Sequence, residues 1–235
     1  MSVIERANIV VQRIRLETIA RLMRQGKWQL IALTIFCILN VSLFWVSVGK
    51  FEDGIFYHGT YWNASDGQRY WGAAIDLAER GQFTMQPVDH EPLSRAGPIP
   101  AIVFAIPIKL IGFDNAAAVI VGVQCVLLFI MGMLTAEIGK IVGVSGRGAQ
   151  GLVMFNPNLI GLAHHAQSDL IFAFIFTLLL FIGTRMIKKI GVLKIKDYVI
   201  LGLVSGCLPL ARAAGQYYVL FLPCILTIGI FLSTL

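Results

Sequence analysis

Long apolar runs separated by short polar segments dominate the 235-residue sequence. Several runs reach or approach the roughly 18 residues that indicate a membrane helix, because such a helix must cross about 30 Å of hydrocarbon. The pattern predicts an all-α, polytopic membrane helix bundle with about six transmembrane helices. The predicted spans are residues 28–48, 116–136, 148–164, 170–184, 198–210 and 217–235.

One apolar run, residues 99–112, is too short for a predicted span. It has 14 residues and contains Pro100, Pro107 and Lys109. A run of this length is more typical of an interfacial or re-entrant helix than of a spanning one. We therefore assign residues 49–115 to a large first outer loop with juxtamembrane helices. The long polar stretch within this loop, residues 65–95, is where we expect catalytic groups.

Residues 1–27 form a separate basic segment before the transmembrane module, 28–235. Apolar residues recur in it at roughly helical spacing, and six Lys and Arg residues stand against two Glu residues. This pattern is typical of an amphipathic helix on the anionic cytoplasmic face of a membrane. A specific partner-binding role for this segment is the alternative.

Composition and charge distribution support the membrane prediction. Charged residues make up 14% of the chain, against about 25% in a typical globular protein, and the mean hydropathy is +0.77. The net charge of +6 raises the question of nucleic acid, but the cations flank apolar runs, as the positive-inside rule requires. Six spans would place 13 of the 19 Lys and Arg residues inside, with both termini cytoplasmic. We expect no nucleic-acid partner.

Under this topology three polar clusters meet on the outer face. Ionisable groups at membrane depth are costly and are therefore usually kept for function. A carboxylate can accept a proton from an attacking hydroxyl, an arginine can hold a phosphate, and carboxylates with histidines can hold a metal. The clusters are Asp66, Arg69 and Tyr70; His90, Glu91, Ser94 and Arg95; and His164, His165, Ser168 and Asp169, with Arg212 close to the third.

Structural roles compete with each catalytic assignment. Asp66 is a natural N-cap for a helix over residues 68–80, and Asp169 is one for the next predicted span. Arg95 has Glu91 or lipid phosphates as alternative partners. His165 and its neighbour are typical interfacial hydrogen-bonding residues, and Arg212 has the length to snorkel to the headgroups.

Six short motifs occur in an order that resembles the GT-C superfamily of membrane glycosyltransferases. The nearest branch holds the protein O-mannosyltransferases and the lipid A aminoarabinose transferase. The likeness covers most of residues 28–222 and follows a basic N-terminus and one spanning helix. The motifs are Asp66-Gly67-Gln68-Arg69-Tyr70, Gly81-Gln82-Phe83, Ser94-Arg95-Ala96-Gly97-Pro98-Ile99-Pro100, Asn156-Pro157, Ser168-Asp169, and Gly202 through Gly206 to Arg212.

The resemblance implies a sugar donor linked to polyprenyl phosphate and an acceptor hydroxyl of unknown identity. It assigns catalysis to Asp66 and Asp169, and contacts with the donor phosphate to Arg95 and Arg212. Further substrate-binding residues expected from the clusters are Arg69, Tyr70, Glu91 and His165. A divalent cation is left open as a cofactor, since Gly67 follows Asp66 where relatives often have an acid, and no organic cofactor is expected.

The expected location is a bacterial-type inner membrane, with the active site on the outer, periplasmic face. GT-C enzymes are usually much longer, so we expect the sequence to represent only their N-terminal conserved module. The alternative function is a non-catalytic membrane subunit or scaffold that binds lipid-linked sugar together with another polytopic protein. A transporter is disfavoured, because no charged residue lies in the middle of a predicted span.

Overall fold

A computed structural model of the protein describes residues 26–46, 48–50, 56–58, 65–83, 97–189 and 192–219. The chain forms two compact units, Met1–Ser42 and Leu43–Leu235. Three predictions therefore lie outside the described residues. They are the amphipathic helix before residue 26, the polar residues 84–96, and all but the start of the last predicted span.

The first helix, α1 (Gly26–Val46), has 21 residues and is apolar enough to cross a membrane. Most of its large apolar side chains are exposed, and its buried positions Ala32, Phe36 and Asn40 form a stripe with a four-residue repeat. The Asn40 side chain donates a hydrogen bond of 2.9 Å to the Phe36 carbonyl, so its amide bonds within the helix. The predicted first span, 28–48, is confirmed as a helix of membrane length, and the helix begins and ends two residues before the predicted bounds.

A small β-hairpin follows α1 and adds two short strands to an otherwise helical fold. Strand β1 (Val48–Lys50) pairs antiparallel with β2 (Phe56–His58), with Val48 opposite His58. Valine, phenylalanine and tyrosine favour strands. The outer loop predicted for this region therefore contains strands as well as helices.

Two shorter helices of the predicted outer loop pack against each other. Helix α2 (Ser65–Arg80) is amphipathic and turns one face toward helix α3 (Pro98–Ile111). Proline at the first position of α3 costs nothing, because the amide of that residue has no partner in a helix. With 14 residues, α3 is about 21 Å long, so the prediction that this apolar run is short of a span is confirmed.

Helix α4 (Phe113–Val142) is the longest described helix, and the two helices after it run back along it. Helix α5 (Gly146–Met154) starts beside Gly139, where a Cβ would lie 3.5 Å from the Gly146 Cα. Farther along, a Cβ on Gly132 would lie 3.1 Å from the Met154 sulfur.

Helix α6 (Pro157–Ala163) continues this return path. Beyond it, the Gln124 side chain of α4 donates to the His165 carbonyl at 2.9 Å. The two short helices thus retrace about 22 Å of α4, at 1.5 Å per residue.

The break between α5 and α6 lies at Asn156-Pro157, where a kink is predicted. Proline lacks the amide hydrogen and clashes with the preceding turn. The Asn156 side chain then caps α6, accepting from the amides of Asn158 at 2.9 Å and Leu159 at 3.2 Å. The predicted single span 148–164 is therefore two separate helices.

Helices α7 (Ser168–Ile187) and α8 (Ile195–Ala211) form an antiparallel hairpin. The Asp169 and Arg212 side chains meet at its open end, and the short connection after residue 187 closes the other end. Beyond Arg212 the chain reverses, and the Tyr218 ring lies 5.8 Å from Phe172.

Of the described helices, α1, α4 and α7 are long and apolar enough to cross a membrane. Helix α8 has 17 residues, which is the lower limit for a span. The chain is thus a helical membrane protein with three helices of spanning length, which is the coarser part of the predicted architecture. The core of the second unit joins α2, α3, α4, α7 and α8; its central residues are Trp71, Phe104, Ile120, Ile175 and Leu208.

Candidate functional site

An ion pair between Asp169 and Arg212 marks the open end of the α7–α8 hairpin. An Nη of Arg212 contacts Oδ1 of Asp169, and each side chain keeps about one third of its surface exposed, 32% for the carboxylate residue and 35% for the arginine. Asp169 is the second residue of α7, and Arg212 directly follows α8. Asp169 and Arg212, which the predicted topology places close together, are therefore in contact although they lie 43 positions apart in the sequence.

Two adjacent histidines occupy the turn that leads into α7. His164 is buried, with 4% of its surface exposed, whereas His165 is half-buried. Burial lowers the pKa of His164 below the ordinary histidine value of 6.5, and the neighbouring His165 lowers it further. Burial also lowers the pKa of His165. Both imidazoles are therefore neutral at pH 7, which suits hydrogen bonding better than charge pairing.

Three buried polar atoms in the same region have no hydrogen-bond partner among the described residues, and one of them is the Nδ1 of His165. Ser168, the first residue of α7, is 1% exposed with its Oγ unpaired, and Gln124 is fully buried with its Oε1 unpaired. The Gln167 N-cap makes no side-chain capping bond, so the first amides of α7 lack a side-chain acceptor at that position. Unpaired buried polar groups are rare in folded proteins and call for an explanation such as a bound ligand or water.

Asp66 lies in the first turn of α2, because this helix begins at Ser65. The prediction that the helix starts at residue 68 with Asp66 as its N-cap is therefore wrong. A carboxylate in a first turn is still favoured by the positive end of the helix dipole. The Asp66 side chain itself is outside the described part of the structure.

The neighbouring predicted residues on α2 differ in exposure. Arg69 is exposed, and Tyr70 is buried with 6% of its surface accessible. Tyr70 belongs to the core cluster that also contains Ala166 and Ala211, which border the histidine turn and Arg212. Substrate binding by Arg69 and Tyr70 stays a prediction.

A glycine holds the start of α3 directly against the end of α8. A Cβ at Gly97 would lie 2.6 Å from the carbonyl carbon of Ala211, closer than real contacts allow. The main chain at Gly97 therefore abuts the residue before Arg212. Gly97 belongs to the Arg-x-Gly motif that begins at Arg95, and Arg95 itself lies outside the described residues, as does Glu91.

Within the described ranges, no group of three or more His, Cys, Asp and Glu side chains is arranged to hold a metal ion. A divalent cation therefore stays an untested expectation, because Asp66 and Glu91 are outside this search.

Two residues near the site were missed by sequence reasoning. In the sequence, Gln124 is one position in the apolar span 116–136. The polarity of its side chain in the middle of a span is the only feature that could have indicated a role. The close approach of Gly97 is a property of two packed helices, which no local pattern encodes.

Comparison of the chain with protein-family models, with curated proteins and with solved structures finds no match. The resemblance to GT-C enzymes therefore rests on the sequence motifs alone, and the function drawn from it is a proposal.

Proposed function

We propose that the chain is a membrane glycosyltransferase that moves a sugar from a polyprenyl-phosphate donor to an acceptor hydroxyl at the outer membrane face. The observation that carries the proposal is the contact between Asp169 and Arg212 at the open end of the α7–α8 hairpin. Arginine binds phosphate through paired hydrogen bonds. An exposed arginine edge at the end of membrane helices suits a phosphate that is carried on a lipid.

Several neighbouring groups add to this anion-binding character. The positive N-terminal end of the α7 dipole lies beside the Asp169–Arg212 pair, since α7 begins at Ser168. Ser168 also has an unpaired hydroxyl at this end of the helix. The neutral histidines add hydrogen-bonding capacity without adding charge. Arg95, two residues before Gly97 in the sequence, is proposed as the second arginine on the donor phosphate.

The proposed reaction is a displacement at the anomeric carbon of the donor sugar. The acceptor oxygen forms a bond to that carbon, and the bond from the carbon to the phosphate oxygen breaks with its electron pair leaving on the phosphate. Asp66 takes the proton of the acceptor hydroxyl. Arg212 stabilises the charge on the leaving phosphate, and Asp169 fixes the guanidinium position.

The proposed topology has six spans with both termini inside. The return path of α5 and α6 along α4 supports a broken third pass, and the reversal after Arg212 supports a final one. The distribution of Lys and Arg supports the same orientation, because these residues cluster in the α4–α5 and α7–α8 connections, which lie on one side of the proposed passes. The Asp169–Arg212 end then faces outward in a bacterial-type inner membrane.

Donor binding is the first test, with undecaprenyl phosphate as the probe and native mass spectrometry of the detergent-purified protein as the readout. We expect wild type to bind the lipid and Arg212→Gln to bind it at least tenfold more weakly, because a charge-assisted contact of about 1.5–3 kcal/mol is lost. Arg147→Gln, an exposed cation on α5 outside the site, is the matched control and should bind as wild type does. Equal binding by all three proteins would refute the donor-phosphate assignment.

Transfer is measured as release of undecaprenyl phosphate from the lipid-linked sugar fraction of bacterial membranes. Asp66→Asn should bind donor normally and lose at least 100-fold in transfer, as expected for removal of a general base. Binding without any transfer by wild type would favour the non-catalytic, sugar-lipid-binding subunit over the enzyme. Absence of both binding and transfer would reject both functions.

A further inference from the structure

The connection between α7 and α8 concentrates exposed positive charge. We define the basic turn as the described residues of 185–198, namely 185–189 and 192–198. Its five cations, all exposed, are Arg185, Lys188, Lys189, Lys194 and Lys196. Its single acid, Asp197, accepts from the Lys194 backbone amide at 2.9 Å. In the described part of the chain, no carboxylate lies within ion-pair distance of these five cations.

Exposed apolar side chains alternate with these cations. Ile187 is 70% exposed, Val192 76% and Ile195 83%, and Tyr198 follows on the first turn of α8. Apolar surface of this extent is unfavourable in water, at about 25 cal/mol per Å². Lysine beside exposed isoleucine is instead typical of the membrane interface, where the apolar groups enter the acyl boundary and the ammonium groups meet headgroups.

The position of the basic turn fits that interface. Arg185 lies in the last turn of α7, a helix of spanning length, and stacks over the Phe181 ring at 5.3 Å. The turn therefore begins where the hydrocarbon-length helix ends. Arg185 follows Asp169 by 16 residues on α7, so the turn begins about 24 Å along the helix from the Asp169–Arg212 pair.

We infer that the basic turn is a docking surface for the phosphate headgroups of anionic phospholipids. Clusters of four to eight Lys and Arg residues beside a membrane helix bind anionic lipid with about 1 kcal/mol per cation. The cations supply the charge complement, and the three exposed aliphatic side chains supply insertion into the acyl boundary. This binding is additional to the role of the same charges in orientation, and it does not depend on the proposed glycosyl transfer.

The test compares two double variants that remove equal charge. One is Lys188→Gln with Lys189→Gln, and the control is Lys140→Gln with Arg147→Gln on the α4–α5 connection, where Lys140 is paired with Glu137 at 2.5 Å. Each purified protein is placed in nanodiscs that contain equal amounts of phosphatidylglycerol and phosphatidylcholine. Native mass spectrometry then measures which lipid is retained on release.

Wild type should retain phosphatidylglycerol preferentially, and the Lys188/Lys189 variant should lose roughly tenfold of that preference. The lipid preference of the control variant should stay within about twofold of that of wild type, a difference of about 0.4 kcal/mol. The preference should also fall as the Debye length shortens from about 10 Å at 0.1 M salt to about 3 Å at 1 M. Sodium phosphate and sodium chloride are also compared at equal ionic strength. Phosphate should displace no more lipid than chloride does, because the turn binds lipid and is not a site for free phosphate.

A second variant tests insertion without altering charge. Ile187→Ser with Ile195→Ser should weaken retention of both lipids, because the apolar contact with the acyl boundary is removed. Three outcomes would overturn the inference: no lipid preference in wild type, equal loss in both charge variants, or retention by a co-purifying protein that binds this turn and excludes lipid. At 1 M salt, where the exposed cations of the basic turn are largely screened, undecaprenyl-phosphate binding by the Lys188/Lys189 variant should equal that of wild type, which separates this inference from the proposed enzyme.

Discussion

At the scale of single residues, the structure excludes one alternative role of Asp169 and shows a protein partner for Arg212. Asp169 is not the N-cap of α7, since Gln167 occupies that position, and it lies instead in the first turn. Arg212 contacts a protein carboxylate. Each charge lies at the helix end whose dipole favours it, negative at a start and positive after an end. The pair is therefore stabilised by its helices as well as by mutual attraction.

The buried histidine turn predicts a specific response to acid. Well above pH 6.5 both imidazoles are neutral in the folded and unfolded chains, so they add no pH dependence there. Below that value the unfolded chain takes up protons first, because burial lowers the folded pKa of His164 and His165. The free energy of unfolding should therefore decrease as the pH is lowered, until the pH is below the lowered pKa values of the folded chain.

The measurement is the thermal unfolding midpoint in detergent between about pH 5 and pH 8, the range in which histidine titrates. We expect the drop in midpoint on acidification to be smaller in His164→Gln with His165→Gln than in wild type, because the variant has no buried imidazole to protonate. The variant His58→Gln controls for loss of a histidine from the β-hairpin. Parallel pH profiles for wild type and the double variant would contradict the prediction.

At the scale of elements, packing positions the site more than local sequence does. The sequence predicts the break at Asn156-Pro157 and the short α3, because proline chemistry and run length are local properties. It does not predict that α5 and α6 run back along α4 to bring His165 to Gln124. Nor does it predict that α3 starts against α8, which depends on the absence of a side chain at Gly97.

Substitution of Gly97 by alanine should therefore loosen the junction of α3 with α8. A Cβ there would lie 2.6 Å from the Ala211 carbonyl carbon, so one backbone must move. We expect the free energy of unfolding to fall by about 1–3 kcal/mol, as for other overpacked sites. Thermal or denaturant unfolding in detergent provides the measurement.

The matched control is Gly206→Ala, at an exposed glycine on α8 where a Cβ would meet no atom within 4 Å. It should leave stability unchanged or raise it by up to about 1 kcal/mol, because alanine is the better helix former. If the two variants unfolded at the same temperature, the proposed close packing at Gly97 would be wrong.

At the scale of the whole molecule, the α7–α8 hairpin separates two kinds of polar end. The open end carries the Asp169–Arg212 pair, and the closed end carries the basic turn. Helix α8 has 17 residues and is about 25 Å long, which approaches the hydrocarbon thickness of a membrane. The two ends should therefore face opposite sides of the membrane.

Substituted-cysteine labelling in intact cells tests this polarity after Cys37, Cys125, Cys207 and Cys224 are replaced by alanine. We expect a membrane-impermeant maleimide to label Ala213→Cys from outside and Lys194→Cys only after the membrane is opened. Both positions are exposed. Val123→Cys within α4 is the control and should stay unlabelled until detergent is added. Labelling of both ends from one side would reject a hairpin that crosses the membrane.

The amino-acid sequence alone identifies a helical membrane protein, because the length of each apolar run and the placement of charge show whether a segment lies in lipid or in water. It also located the helix break and the short apolar helix, which depend on proline and on run length. The packing of the helices is needed to see that Asp169 directly contacts Arg212, that Gln124 bonds to the histidine turn and that Gly97 abuts Ala211. These contacts join residues distant along the chain, and they arise from how helices pack rather than from any local preference.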